Sequence, residues 1–566
     1  MGTSRKMISR RMHRRAMLLI GLALLLMGHA CPIRAAAGVG AVQPATLDAA
    51  IRDLDSSAEA KLVRSAYERA GTTLLWSARG HVSEQGRALA KILSSAETFG
   101  LRPGDYAADL VAGTADQLGH DPSAADFLNF DLLLTRSAVR FISHLHYGRV
   151  DPRAAGFELS ESRSDLDVAA TVAGLATAVN VADAVSAAEP AFYHYALLKG
   201  ALFHYRALTA DPTLTQLPSF GRRTLHPGDA YVGAAALRKL LTSVGDLPES
   251  GGTAVLAPVL DASLAEALKR FQDRHGLAAD GSLGAATFTA LTIPMARRVR
   301  QIELTLERWR WLPAFQAPPI IVNIPEFRLF AFNTTADRAA TILQMPVIVG
   351  QTYPSKRTPI FIGDLRYVVF RPYWDVPRSI TLNEMLPAIR AHSDYLEKNS
   401  LEIVAGERDD SAVLPPTPET IAALAAGRLR LRQRPGDDNA LGLIKFLFPN
   451  AHNVYMHSTP AHQLFQASRR AFSHGCIRVS DPAALAAYVL RNAAAPWSDA
   501  QIDAAMHDTK SLRVELRQPI RVMVLYGTAM ATEAGPVQFF DDIYGHDRKL
   551  EDLLYFRPVN SAAPSR

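Results

Sequence analysis

The chain has 566 residues, 48% hydrophobic and 20% charged, with a formal net charge of +6. That length predicts several domains, and the composition lets them bury cores without disulfides or metals. Seven basic side chains (Arg5, Lys6, Arg10, Arg11, Arg14, Arg15, Arg34) and no acid lie in residues 1–37, so the rest of the chain carries −1, which argues against a nucleic-acid or membrane-surface protein.

The basic leader runs into an apolar stretch, 16–27, and then small residues in which Ala35 and Ala37 form an A-x-A cleavage site. About 12 apolar residues are short for a bilayer span and suit the core of a signal peptide. Two other fates stay open, lipidation at Cys31 and retention as an N-terminal anchor; Arg10 and Arg11 also leave a twin-arginine signal open. Cleavage after Ala37 leaves Cys476 as the only thiol, because the chain has two cysteines. In an oxidising compartment a lone cysteine has no internal partner, so it is either packed as a small hydrophobe or kept for chemistry.

Residues 38–225 read as helical. "FDLLLTRSAVRFISHLHYGRV" sets Leu132, Val139 and Ile142 on one face of an amphipathic helix. His144 and His146 on that helix point to different faces, which disfavours a shared metal. Residues 226–295 read as three short helices. Asp261 is the predicted N-cap of a helix with the stripe Leu264, Leu268 and Phe271, ending at His275 and Gly276. A helix follows Pro294, and after it come short β-branched and aromatic runs bounded by Pro, Gly and Asn: "PIIVNIPEFRLFAF", "ILQMPVIVGQ", "YVVFRPYWDV", "VYMH", "RVMVLYG". They predict a β-rich domain over 296–540, interrupted at about 375–434 by a helical and loop-like insertion that in an exported enzyme can serve as a lid. Residues 541–566 read as a C-terminal tail.

Within "YMHSTPAHQLFQASRRAFSHGCIRVSD" a thiol and its candidate base lie 19 residues apart. A nucleophilic cysteine needs a base, a group that orients the base, and N–H donors for an oxyanion. His457 closes a strand-like run. Gly475 lets the backbone approach a carbonyl closely. Asp481 and Pro482 are the N-cap and first residue of a helix whose start favours negative charge. Three readings of Cys476 stand on these residues: nucleophile with a histidine base, packing, and a zinc ligand with His457, His474 or His452. Zinc lacks the usual C-x-x-C or H-x₃₋₅-H pair.

The spacing H-x₁₅-S-H-G-C-I-R, formed by His457, Ser473, His474, Gly475, Cys476, Ile477 and Arg478, resembles the signature of the L,D-transpeptidases with a YkuD-type catalytic domain. "VIVGQTYPSKRTPIF" is similar to that family's glycine-containing strand and T-P-x-F turn. "LKRFQDRHGLAADGSLGAATFTAL" resembles a peptidoglycan-binding domain, and the whole arrangement resembles the large periplasmic members with an inserted capping subdomain. The resemblance implies a multidomain α+β chain: helical scaffold domain, three-helix peptidoglycan-binding domain, and β-sandwich-like catalytic domain with a helical insertion. It also implies a periplasmic, cell-wall enzyme that forms 3→3 cross-links and is a carbapenem target. Cys476 would attack a tetrapeptide stem and expel its terminal D-alanine. His457 would be the base, oriented by the Ser458 carbonyl, and His474 with the N–H groups of Gly475 and Cys476 would stabilise the intermediate. Arg478, Tyr455, Ser473 and Trp374, with Tyr373, are candidate substrate contacts, packing being the other reading for the aromatics. Stems would be donor and acceptor, and further wall-synthesis proteins are candidate partners. No metal or organic cofactor is implied. Other acceptors (a free D-amino acid, a protein lysine, water) stay open, as does a non-catalytic wall-binding scaffold.

Overall fold

Helices begin where short polar side chains can hold the free N–H groups of a first turn. Ser57, Ser83 and Ser123 do this for Ala58–Arg69, Glu84–Ser94 and Ala124–Tyr147. The computed structural model describes residues 42–555 except 120, 160–164, 222, 250–256, 336–342 and 534. The leader with Cys31 therefore lies outside the described residues. Among the described residues no helix is long and apolar enough to cross a membrane.

The first helices enclose a core around Val63, Tyr67, Trp76, Phe130 and Phe141. At its centre the Asp131 carboxylate accepts the Leu75 and Trp76 N–H groups and the Tyr67 hydroxyl. Such full satisfaction is what a buried carboxylate requires, and burial still lifts its pKa to about 6. On the long helix, His144 meets the Tyr106 hydroxyl while His146 meets the Ala188 carbonyl.

A second core joins the helix Tyr193–Leu208 to Ala234–Ser243, Ala262–Arg274, Ala285–Leu291 and Met295–Arg310, with the hairpin Ala529–Thr532/Gly535–Phe539 closing it. The helix at 193–208, grouped from sequence with the N-terminal helices, thus contributes to this later core. Asp261 caps as its sequence predicts, accepting the Leu264 N–H, and Gly276 adopts a φ of 65°. A buried pair, Arg274 with Asp246 at 2.5 Å, is aimed at the hairpin, where Arg274 also donates to the Val537 carbonyl at 2.6 Å.

The β-rich region is one nine-stranded sheet. Its strands are β1 (Ile320–Asn323), β2 (Arg328–Ala331), β3 (Leu343–Gly350), β4 (Phe361–Phe370), β5 (Ile444–Leu447), β6 (Met456–His457), β7 (Ala471–Ser473), β8 (Ile477–Val479) and β9 (Leu512–Leu525). The order is β7-β3-β8-β6-β5-β4-β9-β1-β2, and β2 also pairs with β3, so the layer expected as sandwich-like curls round and closes on itself. Closure removes free edges, and β7 alone extends the ring. Val322, Leu329, Val347, Val368, Phe446, Met456, Ile477 and Val524 fill the inside.

Two sequence expectations need correction here. The insertion is not only helix and loop: Trp374–Asp375, Leu401–Ala405, Ala412–Leu414 and Arg430–Gln433 form a four-stranded sheet. Its strands are short and carry charge at Glu402, Arg430 and Arg432, so they lack the apolar alternation that marks a strand in sequence. Val376, Leu386, Ile403, Leu424 and Leu431 give it a small core of its own. Nor is 541–555 a tail. It holds the helix His546–Tyr555, which buries Leu550 and Leu554 and pairs Asp547 with Arg308 at 2.6 Å.

Candidate active site

Strand alternation sorts the candidate residues. Across the parallel pair β6/β8, Met456 faces Ile477 and His457 faces Arg478; across the antiparallel pair β5/β6, Phe446 faces Met456 and Lys445 faces His457. Since Phe446, Met456 and Ile477 are core residues, the period of two puts Lys445, Tyr455, His457, Cys476 and Arg478 on the opposite face. The Ile477 N–H donates to the Tyr455 carbonyl at 3.0 Å, so Cys476 enters the sheet beside Tyr455.

His457 is almost fully buried. Its Nδ1 lies 2.5 Å from the Ser458 carbonyl oxygen, which can only accept, so the ring proton is on Nδ1 and the lone pair on Nε2. Burial, helped by the neighbouring Arg478 charge, holds its pKa at about 3 against the pull of the Ser458 backbone. Burial pushes the Cys476 thiol up, opposed by hydrogen bonds from Tyr455 and by the Lys445 and Arg478 charges. The resting pair is therefore thiol and neutral imidazole. The Cys476 Sγ has a long contact, 4.0 Å, to the Asn453 carbonyl.

The loop carrying the thiol is braced from both sides. Ser473 Oγ donates to the Cys476 carbonyl at 2.6 Å and accepts the Gly475 N–H at 3.1 Å. The Gly475 N–H, expected from the resemblance to face an oxyanion, is thus engaged within the loop, because a tight turn satisfies its own buried donors first. Gly475 has a φ of 122°, which a side chain would strain. Its carbonyl accepts from Thr358 Oγ1 at 2.8 Å, and that oxygen accepts the Gly350 N–H at 2.8 Å. Tyr544 closes the network, donating to the Gly350 carbonyl at 2.6 Å and accepting the Thr358 N–H. Asp481 caps the following helix, Pro482–Leu490.

Thr358 lies within "RTPIF" and Lys445 at an alternate position in "IKFL", so both were visible in sequence, but neither announces its partner. Thr358→Val is expected to leave the Gly350 N–H and Gly475 carbonyl unpaired, losing about 1–3 kcal/mol of stability. Denaturant unfolding would show it, and an unchanged midpoint would remove Thr358 from the brace.

The remaining candidates are placed as follows. The His474 ring turns to the insertion: its Nε2 is 2.9 Å from Glu384 Oε1 and 2.8 Å from Lys356 Nζ. The expected role of that ring as an oxyanion donor is not what this orientation offers. Arg478 lies beside the thiol, its buried Nε without a hydrogen-bond partner among the described residues. Trp374, on the insertion's sheet, hydrogen-bonds the Tyr455 side chain, over whose ring Lys445 Nζ sits 4.1 Å from the centroid. Tyr373 stacks under Arg432, 4.3 Å from ring centroid to guanidinium. An open depression of about 380 Å³ lies beside the loop, between Gln351, Tyr353, Arg469 and Phe472. A separate cavity of about 440 Å³, lined by Phe192, Trp309 and Phe330, includes none of these residues. Among the described residues no group of three His, Cys, Asp or Glu side chains is placed to hold a metal ion.

Comparison with known proteins agrees with this architecture. Residues 318–510 match the L,D-transpeptidase catalytic domain of the YkuD type, residues 234–291 a "Putative peptidoglycan binding domain", and residues 61–202 a scaffold domain. A protein of Haemophilus influenzae named "Putative L,D-transpeptidase" is 30% identical over 251 residues, 44% of this chain and 49% of that protein. The match thus spans about half the length of this relative.

Proposed function

We propose that this chain is a cysteine-dependent L,D-transpeptidase of the cell wall that forms 3→3 peptidoglycan cross-links and works in the periplasm. The observation that carries the reading is the shared sheet face that carries both Cys476 and a buried His457 whose ring proton lies on Nδ1.

In this reading Cys476 Sγ attacks the carbonyl of the third stem residue while its proton passes to His457 Nε2. The Cys476 N–H favours the developing oxyanion. The proton then goes to the departing nitrogen, releasing D-alanine and leaving a thioester. A side-chain amine of a second stem attacks the thioester, His457 takes its proton, and the thiol is restored. Arg478, Tyr455 and Trp374 contact the stem, and the unit at 234–291 holds the enzyme to the wall. The leader at 1–37 directs export.

A disaccharide-tetrapeptide incubated with the chain from residue 38 onward is expected to yield free D-alanine and a cross-linked dimer in mass spectra. D-alanine without dimer would replace cross-linking by carboxypeptidase or exchange activity. No D-alanine at all would overturn the reading in favour of a non-catalytic wall-binding scaffold.

A further inference from the structure

One ring nitrogen beside the active site has two competing neighbours. His474 Nε2 can donate to the Glu384 carboxylate or accept from the Lys356 ammonium, but a single nitrogen cannot do both at once. The two side chains also face each other directly, Lys356 Nζ and Glu384 Oε1 being 3.8 Å apart. The imidazole nitrogen therefore lies between the ammonium and the carboxylate, and the carboxylate is within reach of both.

The three groups differ in what holds them. His474 belongs to the loop of Gly475 and Cys476. Lys356 ends the short turn Pro354–Lys356, two residues before Thr358, which holds the Gly475 carbonyl. Both donors are thus tied to the backbone that positions the thiol. Glu384 comes from the insertion, on the π-helical turn Thr381–Met385, a geometry that recurs at functional sites. The donors are fixed parts of the catalytic sheet, and the carboxylate is supplied by the cap.

We infer that Lys356 and His474 form a seat for the free α-carboxylate of the donor stem's leaving residue, and that Glu384 fills this seat until substrate replaces it. The inference rests on the transpeptidase reading for the identity of the ligand. The leaving residue carries its carboxylate one carbon beyond the scissile nitrogen, so a seat adjoining the nucleophile loop is where that charge arrives. The side chains are a third to a half exposed, 33% for Lys356, 34% for His474 and 49% for Glu384, so an incoming ligand can reach them. Ion pairs this exposed are weak, and a second carboxylate can displace the first.

The test compares two stems, one ending in free D-alanine and one in D-alaninamide. Turnover is measured on the wild type, and binding of both on Cys476→Ala by calorimetry. The wild type is expected to use the acid with a KM roughly tenfold below that of the amide, as loss of one charge-assisted contact implies. Lys356→Ala should raise KM for the acid alone, and Lys356→Arg should recover part of it. Glu384→Gln should lower KM for the acid about threefold or more at unchanged kcat, since its occupant no longer carries charge. Equal handling of acid and amide by the wild type overturns the seat while leaving the transpeptidase reading intact. Tighter binding of the acid that depends on Lys356, without turnover of either stem, supports the seat and overturns the reaction. A Glu384→Gln variant with raised KM would make Glu384 a supporting contact and overturn its role as occupant.

Discussion

Cys476→Ala is expected to abolish the proposed D-alanine release and any covalent carbapenem adduct, with a loss in kcat of about 10⁴-fold or more, because a covalent step has no substitute nucleophile here. Cys476 is the one described cysteine and is partly exposed, and its sulfur meets Tyr455 and, at long range, the Asn453 carbonyl. Removing it should leave the melting temperature close to wild type, which separates lost chemistry from lost fold. Serine should rescue little. Its hydroxyl is a far weaker acid and a poorer nucleophile than a thiol. Mass spectra of the wild type and the variant after carbapenem treatment are the check. An adduct on Cys476→Ala would place the nucleophile elsewhere and sink the mechanism.

How far the sequence could be read depended on whether a feature was local. Caps at Asp261 and Asp481 need only four neighbouring residues, so they were visible at once. The β-rich region declared itself through β-branched runs, and the spacing from His457 to Cys476 singled out residues that the sheet then sets on one face. The rest is made by distant partners. Glu384 lies 90 residues before His474, and Tyr544 lies 186 after Thr358; nothing within either segment reports the other. The insertion's strands were hidden by their charges, and the helix at 546–555 by its position at the end of the chain. The engaged Gly475 N–H depends on a Ser473 rotamer that sequence does not encode.

The neutral resting state has a mechanistic consequence. With burial pushing the thiol up and holding the imidazole down at about 3, the proton rests on sulfur and a preformed thiolate–imidazolium pair is disfavoured. Proton transfer and carbon–sulfur bond formation are therefore coupled: the imidazolium forms as charge moves onto the oxyanion, and Lys445 and Arg478 lie near enough to the sulfur to ease that movement. Burial keeps the thiol from ionising until a carbonyl is in place.

His457→Asn should lower kcat by about 10²–10⁴-fold, the range for losing a general base, with little change in KM. It should also change how stability depends on pH. In the folded chain His457 has a pKa of about 3, whereas in the unfolded chain it has the ordinary value near 6.5. The unfolded state takes up this proton first, so the group's contribution to stability is fully present above pH 6.5 and is lost as pH falls towards 3. By pH 4 the loss is on the order of 3 kcal/mol. The variant has no such proton to bind, so its melting temperature should fall less than that of the wild type between pH 7 and pH 4. Equal falls would mean that His457 has the same pKa folded and unfolded, so that burial does not hold the base neutral as the mechanism requires.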